Sequence, residues 1–193
     1  MIKLIYIKLL LLSFIPVFNI AQSHSITLDA SQNITNFMFT NSNGEVDKKY
    51  KPVLSGGYAF GYRFENDKGL LLSGKLGMRN AGATYVYDSF NYNWDFDYTE
   101  VRLGVGYNYK LSKIGIHIWG QPYFSYLLKA NQTLNNEHFD LINSDKINRV
   151  DYGAIISTGV NISAAEDLIK LFIDLNYLYG INNIEKSDNQ KTQ

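Results

Sequence analysis

The chain has 193 residues, a length that suits one domain and calls for no second. Its 18 basic and 18 acidic side chains balance, which excludes the clustered positive field of a nucleic-acid binder. Cysteine is absent, which excludes disulfides, thiolate metal sites and a cysteine-linked lipid anchor.

Lys3 and Lys8 flank the start of an apolar run, Leu9 to Phe18, that ends near Ala21 with Gln22 and Ser23 following. This pattern predicts a secretory signal peptide over residues 1–21, cleaved after Ala21, and a mature domain over 22–193. The strongly apolar part is short for a spanning helix, which needs roughly 20 residues. No later run approaches that length, so any membrane insertion has to use strands closed into a barrel.

Ser25 to Thr40 is a weakly alternating first strand, with Ile26, Leu28, Ala30, Phe37 and Phe39 as its apolar positions. The polar run Asn41 to Lys51 contains Asn43-Gly44 and predicts a solvated loop. A second strand over Pro52 to Phe64 sets Leu54, Tyr58, Phe60, Tyr62 and Phe64 against Ser55, Gly57, Ala59, Gly61 and Arg63. After a tight turn over Glu65 to Gly69, a third strand runs from Leu70 to about Asp88. It opposes Leu72, Leu76 and Met78 to Ser73, Lys75, Gly77 and Arg79.

A short connection near Ser89 to Asn91 opens the clearest stretch, a hairpin centred on Tyr98 to Lys129. In the fourth strand Val101, Leu103, Val105, Tyr107 and Tyr109 oppose Glu100, Arg102, Gly104, Gly106 and Asn108. Lys110 to Lys113 make the turn. In the fifth strand Ile114, Ile116, Ile118, Phe124, Tyr126 and Leu128 oppose Gly115, His117, Trp119, Gln121, Tyr123 and Ser125. Asn131 to Lys146 reads as a long polar loop. A sixth strand, Val150 to Ile162, alternates only partly. After Ala164 to Asp167, a seventh sets Leu171, Ile173, Leu175, Tyr177 and Tyr179 against Phe172, Asp174, Asn176 and Leu178, before a polar tail from Asn182.

Longer connections alternate with compact turns, as in outer-membrane barrels, whose outside loops are long and periplasmic turns tight. Seven strands that start in the periplasm finish outside, yet single-chain bacterial barrels close with an even number. The expectation is therefore an all-β, antiparallel, up-and-down transmembrane barrel of the eight-stranded type, with seven strands present. A last strand of roughly ten residues is expected to be missing through truncation or gene disruption.

A soluble, lipocalin-like barrel that binds a small apolar ligand has the same period but reverses the faces. Residue size decides for the membrane: Gly, Ala and Ser fill one face, suiting a narrow interior, and bulky Tyr, Phe, Ile and Leu the other. The pairs Tyr107/Tyr109 and Tyr177/Tyr179 fit an interfacial girdle, while Tyr123 falls on the inward face.

The resemblance rests on specific stretches: Gly82-Ala83-Thr84-Tyr85, Asp97 to Val101, Pro122 to Leu128, Asp151-Tyr152-Gly153 and, most specific, Asp174 to Ile184. There the chain resembles the PorT-like outer-membrane β-barrel family of Bacteroidota, small eight-stranded barrels of porin-family fold akin to OmpX and OmpA. The resemblance implies outer-membrane lipid and the barrel assembly machinery as partners, a final strand ending in an aromatic residue, and no shared catalytic residues. Lys75 and Trp119 stand where the family often has an acidic residue, so its interior charge pattern does not carry over.

If the polar face is the lumen, Lys75, Arg79, Glu100, Arg102, Asp151 and Asp174 form its charged cluster. Counting back from the connection near Asn91 places Arg79 opposite Glu100 or Arg102, close enough for a charge-assisted pair with Glu100. A bore of this size is just filled by side chains, so the cluster is expected to be a neutral plug rather than a selectivity ring. His117 is expected opposite Gly104 or Gly106; Ser125 and Asn108 share its face, but nothing in the spacing assembles a hydrolase. His24 and His138 have no ligand spacing, and no metal or cofactor is expected. The sequons at Asn33, Asn131 and Asn161 carry no weight in a bacterium, and Gly104 to Gly106 is no phosphate loop because no helix follows. The functional expectation is a non-enzymatic outer-membrane protein, structural or acting through its loops on other envelope proteins, with a role beside secretion machinery.

Overall fold

The computed structural model describes residues 22–37, 49–88, 90–135, 137–144, 147–164 and 168–184. The expected signal peptide, most of the loop around Asn43-Gly44, Ala165 to Asp167 and the tail beyond Ile184 lie outside them. The strands are β1 (Gln22–Thr35), β2 (Tyr50–Asn66), β3 (Leu70–Tyr87), β4 (Phe90–Leu111), β5 (Ile114–Leu134), β6 (Glu137–Asp140), β7 (Val150–Ala164) and β8 (Ile169–Gly180). A single 3₁₀ turn, Ile142–Ser144, follows β6.

Each strand pairs antiparallel with its neighbour in the order β1-β2-β3-β4-β5-β7-β8, and β6 adds to the far end of β5. The sheet curls so far that side chains on β2 and β3 touch others on β7 and β8 across its concave face. Among the described residues β1 and β8 do not pair with each other. Six direction reversals separate them, so they run the same way.

The alternation in the sequence becomes two surfaces. The convex one carries the aliphatics: Leu28 is 83% exposed, Leu103 62% and Leu175 78%. On the concave one Glu100 is 2% exposed and His117 1%. Apolar side chains thus face out and charges face in, the reverse of a ligand-binding soluble barrel.

Turn chemistry fixes the register. Gly69, at φ 88°, closes the β2–β3 turn by donating its N–H to the Asn66 carbonyl at 3.0 Å, and the Asn66 side chain accepts the Leu70 N–H at 2.8 Å. Asp88, Ser112 and Asn135 supply the positive φ that short hairpin connections need. From the β3–β4 turn the pairing runs unbroken from Tyr87↔Phe90 to Leu70↔Tyr107.

Two expectations need correction. Residues 131–146 are not simply a loop: β5 continues to Leu134, turns at Asn135 and returns as β6, with Asn131 opposite Asp140. All four β6 side chains are exposed, so no buried face imposes the apolar alternation that would have marked a strand. The first strand is also displaced, spanning Gln22–Thr35. Phe37 lies past its end and turns inward, 5.1 Å from the Phe96 ring.

Inward glycines let the large interior side chains lie flat. A Cβ on Gly106 would stand 3.1 Å from the Trp119 ring and closer still to the Ile118 carbonyl, whereas one on outward Gly120 would meet nothing within 4 Å. Gly106→Ala should therefore cost about 1–3 kcal/mol by overpacking, with Gly120→Ala within about 0.5 kcal/mol of the parent. Urea unfolding of the refolded protein measures both.

Candidate functional site

The concave face holds a column of charged and amide side chains, and its chemistry follows from confinement. A charge removed from water must find a partner or destabilise the fold. Each of five inward carboxylates, Asp29, Glu65, Glu100, Asp151 and Asp174, has a basic side chain within 3.2 Å.

At the end with the tight turns, Glu65 accepts from Asn108 and from Lys110, each at 2.9 Å, and from Lys170 at 3.1 Å. Further in, His117 contacts Asp174 through Nε2 at 2.7 Å, and the Asn161 amide lies 3.2 Å from its Nδ1. If Asn161 donates to Nδ1 and Nε2–H donates to Asp174, both ring nitrogens are satisfied. Beside this pair the Arg63 guanidinium lies 3.8 Å from the centre of the Phe172 ring and 4.5 Å from that of Trp119, held by cation–π contact. Lys75 reaches Asp29 at 2.5 Å.

Toward the long-connection end sits the largest network. Glu100 accepts from Arg79 Nε at 3.2 Å, from Arg102 and from the Ser125 hydroxyl at 3.4 Å. Arg79 also reaches Asp151 at 2.9 Å, and Asp151 accepts from the Tyr123 hydroxyl at 3.3 Å. Above it the inward face turns apolar: Phe37, Ala83, Phe96, Tyr98, Leu127 and Ala130 pack as one cluster, joined by Leu141, Ile142, Ile147 and Ile184 from the connections.

All six residues of the charged cluster read from the sequence face inward. Arg79, Glu100, Arg102 and Asp151 come together in one network, while Lys75 and Asp174 belong to separate pairs with Asp29 and His117. The expected register is corrected by two residues. Arg79 stands directly opposite Tyr98 and reaches Glu100 diagonally, and His117 stands opposite Asn108 and Gly159 rather than Gly104 or Gly106. Ser125 is engaged by Glu100 and Asn108 by Glu65, so neither serves His117 as a nucleophile or orienting group. Among the described residues no group of three His, Asp or Glu side chains could hold a metal ion.

Three further charges join this column: Arg63, which the sequence places on the polar face but outside the charged cluster, and Asp29 and Glu65, which it does not single out. Their signal was positional: Asp29 shares a face with Thr27 and Ser31 against Ile26, Leu28 and Ala30, and Glu65 continues the inward row of Arg63 one residue beyond the expected strand end.

A column of paired ions inside and a continuous aliphatic band outside require a non-aqueous exterior. The family model described as "Outer membrane protein beta-barrel domain" matches residues 20–186. The chain belongs to that family. No curated protein and no solved structure matches it.

As an outer-membrane β-barrel domain, the convex surface is its lipid face. Tyr62, Tyr107 and Tyr109 stand exposed on that face toward the tight turns, with Tyr58, Tyr126, Tyr152, Tyr177 and Tyr179 toward the other end. These positions suit the two aromatic belts of a spanning barrel. The soluble, lipocalin-like alternative fails because its small apolar ligand would have to occupy a face filled with charges. A strand needs only about 9–11 residues to cross the bilayer, so β4, with 22, and β5, with 21, rise beyond it.

Burial separates the ion pairs energetically. The Glu100 side chain is 1% exposed and that of Asp29 30%. Removing the Glu100 charge leaves Arg102 unpaired in the bore, so Glu100→Gln should destabilise by about 3–5 kcal/mol. Lys75→Met leaves Asp29 unpaired but 30% exposed to water, so it should cost less, about 1–2 kcal/mol. Denaturant titration in lipid vesicles distinguishes the two.

Proposed function

We propose that this barrel is a non-enzymatic, PorT-like element of a Bacteroidota outer membrane. Its signal peptide is removed after Ala21, the barrel assembly machinery inserts it, and it acts at the end bearing the long connections. There it meets other envelope proteins, those of the secretion apparatus foremost. The filled bore is the single observation that supports this reading most. Ion pairs and the apolar cluster occupy the inward face from Glu65 to Phe96, so solute conduction is not its work. Among the described residues Ser125 is taken up by Glu100 and no hydroxyl nucleophile bonds the His117–Asp174 pair, which favours a non-enzymatic role, since covalent catalysis needs nucleophile and base within hydrogen-bond reach.

The β5–β6 hairpin supports a contact role for the loops. It is exposed along β6, rigidly paired, and anchored through Leu141 and Ile142 on the apolar cluster. A rigid hairpin presents side chains to a partner at less entropic cost than a mobile loop.

In planar bilayers the purified barrel should show no steady conductance. A photo-crosslinking residue in place of exposed His138 should capture an envelope protein in intact cells, and one in place of Leu103 should capture none. Stable ion conductance with no protein adduct at position 138 would overturn this reading.

A further inference from the structure

Past the rows that face hydrocarbon, five aromatic side chains share the inner face of β2, β3 and β4. The register sets Tyr50, Tyr85 and Tyr92 in one cross-strand row, with Trp94 opposite Ala83 just inside it. The ring centroids are 4.7 Å apart for Tyr50 and Tyr85, 5.7 Å for Tyr50 and Trp94, 5.8 Å for Tyr92 and Trp94, and 6.3 Å for Tyr85 and Tyr87. The last two pairs are nearly parallel, at 12° and 13°. Together the rings line an open cavity of about 250 Å³. Tyr50 and Trp94 also pack against the apolar cluster, which gives the cavity a solid floor.

Three features select the ligand. Tyr85 with Tyr87 and Tyr92 with Trp94 are near-parallel pairs, and the two pairs meet at 59° across Tyr85 and Tyr92, which gives an angled cleft whose ring faces can take the flat face of a ligand. Among the described residues no carboxylate lines the cavity, and the Lys49 ammonium stands 5.2 Å over the Tyr87 ring, so that ring already carries a cation. The lining rings carry phenol hydroxyls and an indole N–H, which suit a ligand with an apolar face and a polar edge. A pyranose ring has that form: its C–H face lies on the aromatic wall and its hydroxyls meet the phenols. The volume is small for a ligand pocket and fits one sugar unit of a longer chain.

We infer that Tyr50, Tyr85, Tyr87, Tyr92 and Trp94 form a saccharide-binding site at the mouth of the barrel. The sugar belongs either to a free glycan or to the headgroup of an envelope glycolipid.

The test uses the whole barrel in lauryldimethylamine oxide, a detergent without sugar. Trp119 is buried in the bore, so a Trp119→Phe background leaves Trp94 as the only tryptophan of the two in the chain. Its fluorescence is titrated with cellotriose, chitotriose and trigalacturonate, and separately with short-chain lipopolysaccharide. A saturable shift is expected, with affinity reduced roughly tenfold by Tyr92→Ala and less by Tyr85→Phe, which keeps the ring face and removes one hydroxyl. Tyr87→Ala, on the exposed rim, repeats the test if Tyr92→Ala does not refold. Saturation by a trisaccharide assigns a free glycan as the source, and saturation by lipopolysaccharide alone assigns the glycolipid. No saturable shift with any probe, or equal affinity in the alanine variants, would overturn the inference.

Discussion

A backbone that crosses hydrocarbon has no water to take its N–H and C=O groups, so each must be given to a neighbouring strand. That requirement accounts for the chain's most regular feature, antiparallel pairing that links β1 through β8 and leaves their outer edges without a partner strand among the described residues. Once pairing is obligatory, the pleat assigns alternate side chains to opposite faces, and the remaining question is which face meets lipid. The aliphatic rows can lie in hydrocarbon; the rows carrying Glu100, Arg79 and Asp174 cannot.

Forcing the polar rows inward makes the bore the place where charge has to be resolved. It is resolved locally, and the networks differ with depth. Near the tight turns Glu65 gathers Asn108, Lys110 and Lys170 from two other strands. Near the mouth Glu100 and Asp151 hold Arg79 between them, tying β3 to β4 and β7. These contacts cross the curled sheet, so they fix its curvature as well as its charge balance. Above them Phe96, Leu127 and their neighbours close the column with an apolar cap, and the aromatic wall of Tyr85, Tyr92 and Trp94 stands on that cap.

Much of this was legible because the period of two is strict where one face meets lipid and the other a packed bore. Val101 to Tyr109 and Ile114 to Ile118 could be assigned to faces residue by residue, and the inward direction of all six cluster charges followed. Legibility failed where that contrast disappears. Residues 137–140 have water on both faces, so Glu137-His138-Phe139-Asp140 reads as loop although it pairs as strand. The partner of Arg79 was within reach but its register was not. The β3–β4 connection proved shorter than assumed, which moved Tyr98 into the directly opposed position and left Glu100 on the diagonal. Irregularities at Pro52/Gly57 and at Asp97/Tyr98 likewise have no signature in residue type alone. The aromatic wall was present as tyrosines and a tryptophan, but its three strands converge only once the register is known.

Which surface touches lipid decides how every strand of this barrel is oriented. Because the chain has no cysteine, single cysteines can be placed at Leu103, Ile116 and Leu175 on the convex face and at Ser125 and Ser157 in the bore, each carrying a nitroxide in proteoliposomes. Spin relaxation by membrane-soluble oxygen and by a water-soluble nickel complex then reads the environment of each site. Strong oxygen and weak nickel relaxation at the three aliphatic positions, absent from the two serine positions, is the predicted result. Nickel relaxation at Leu103, Ile116 and Leu175 equal to that of a label in free solution would contradict it.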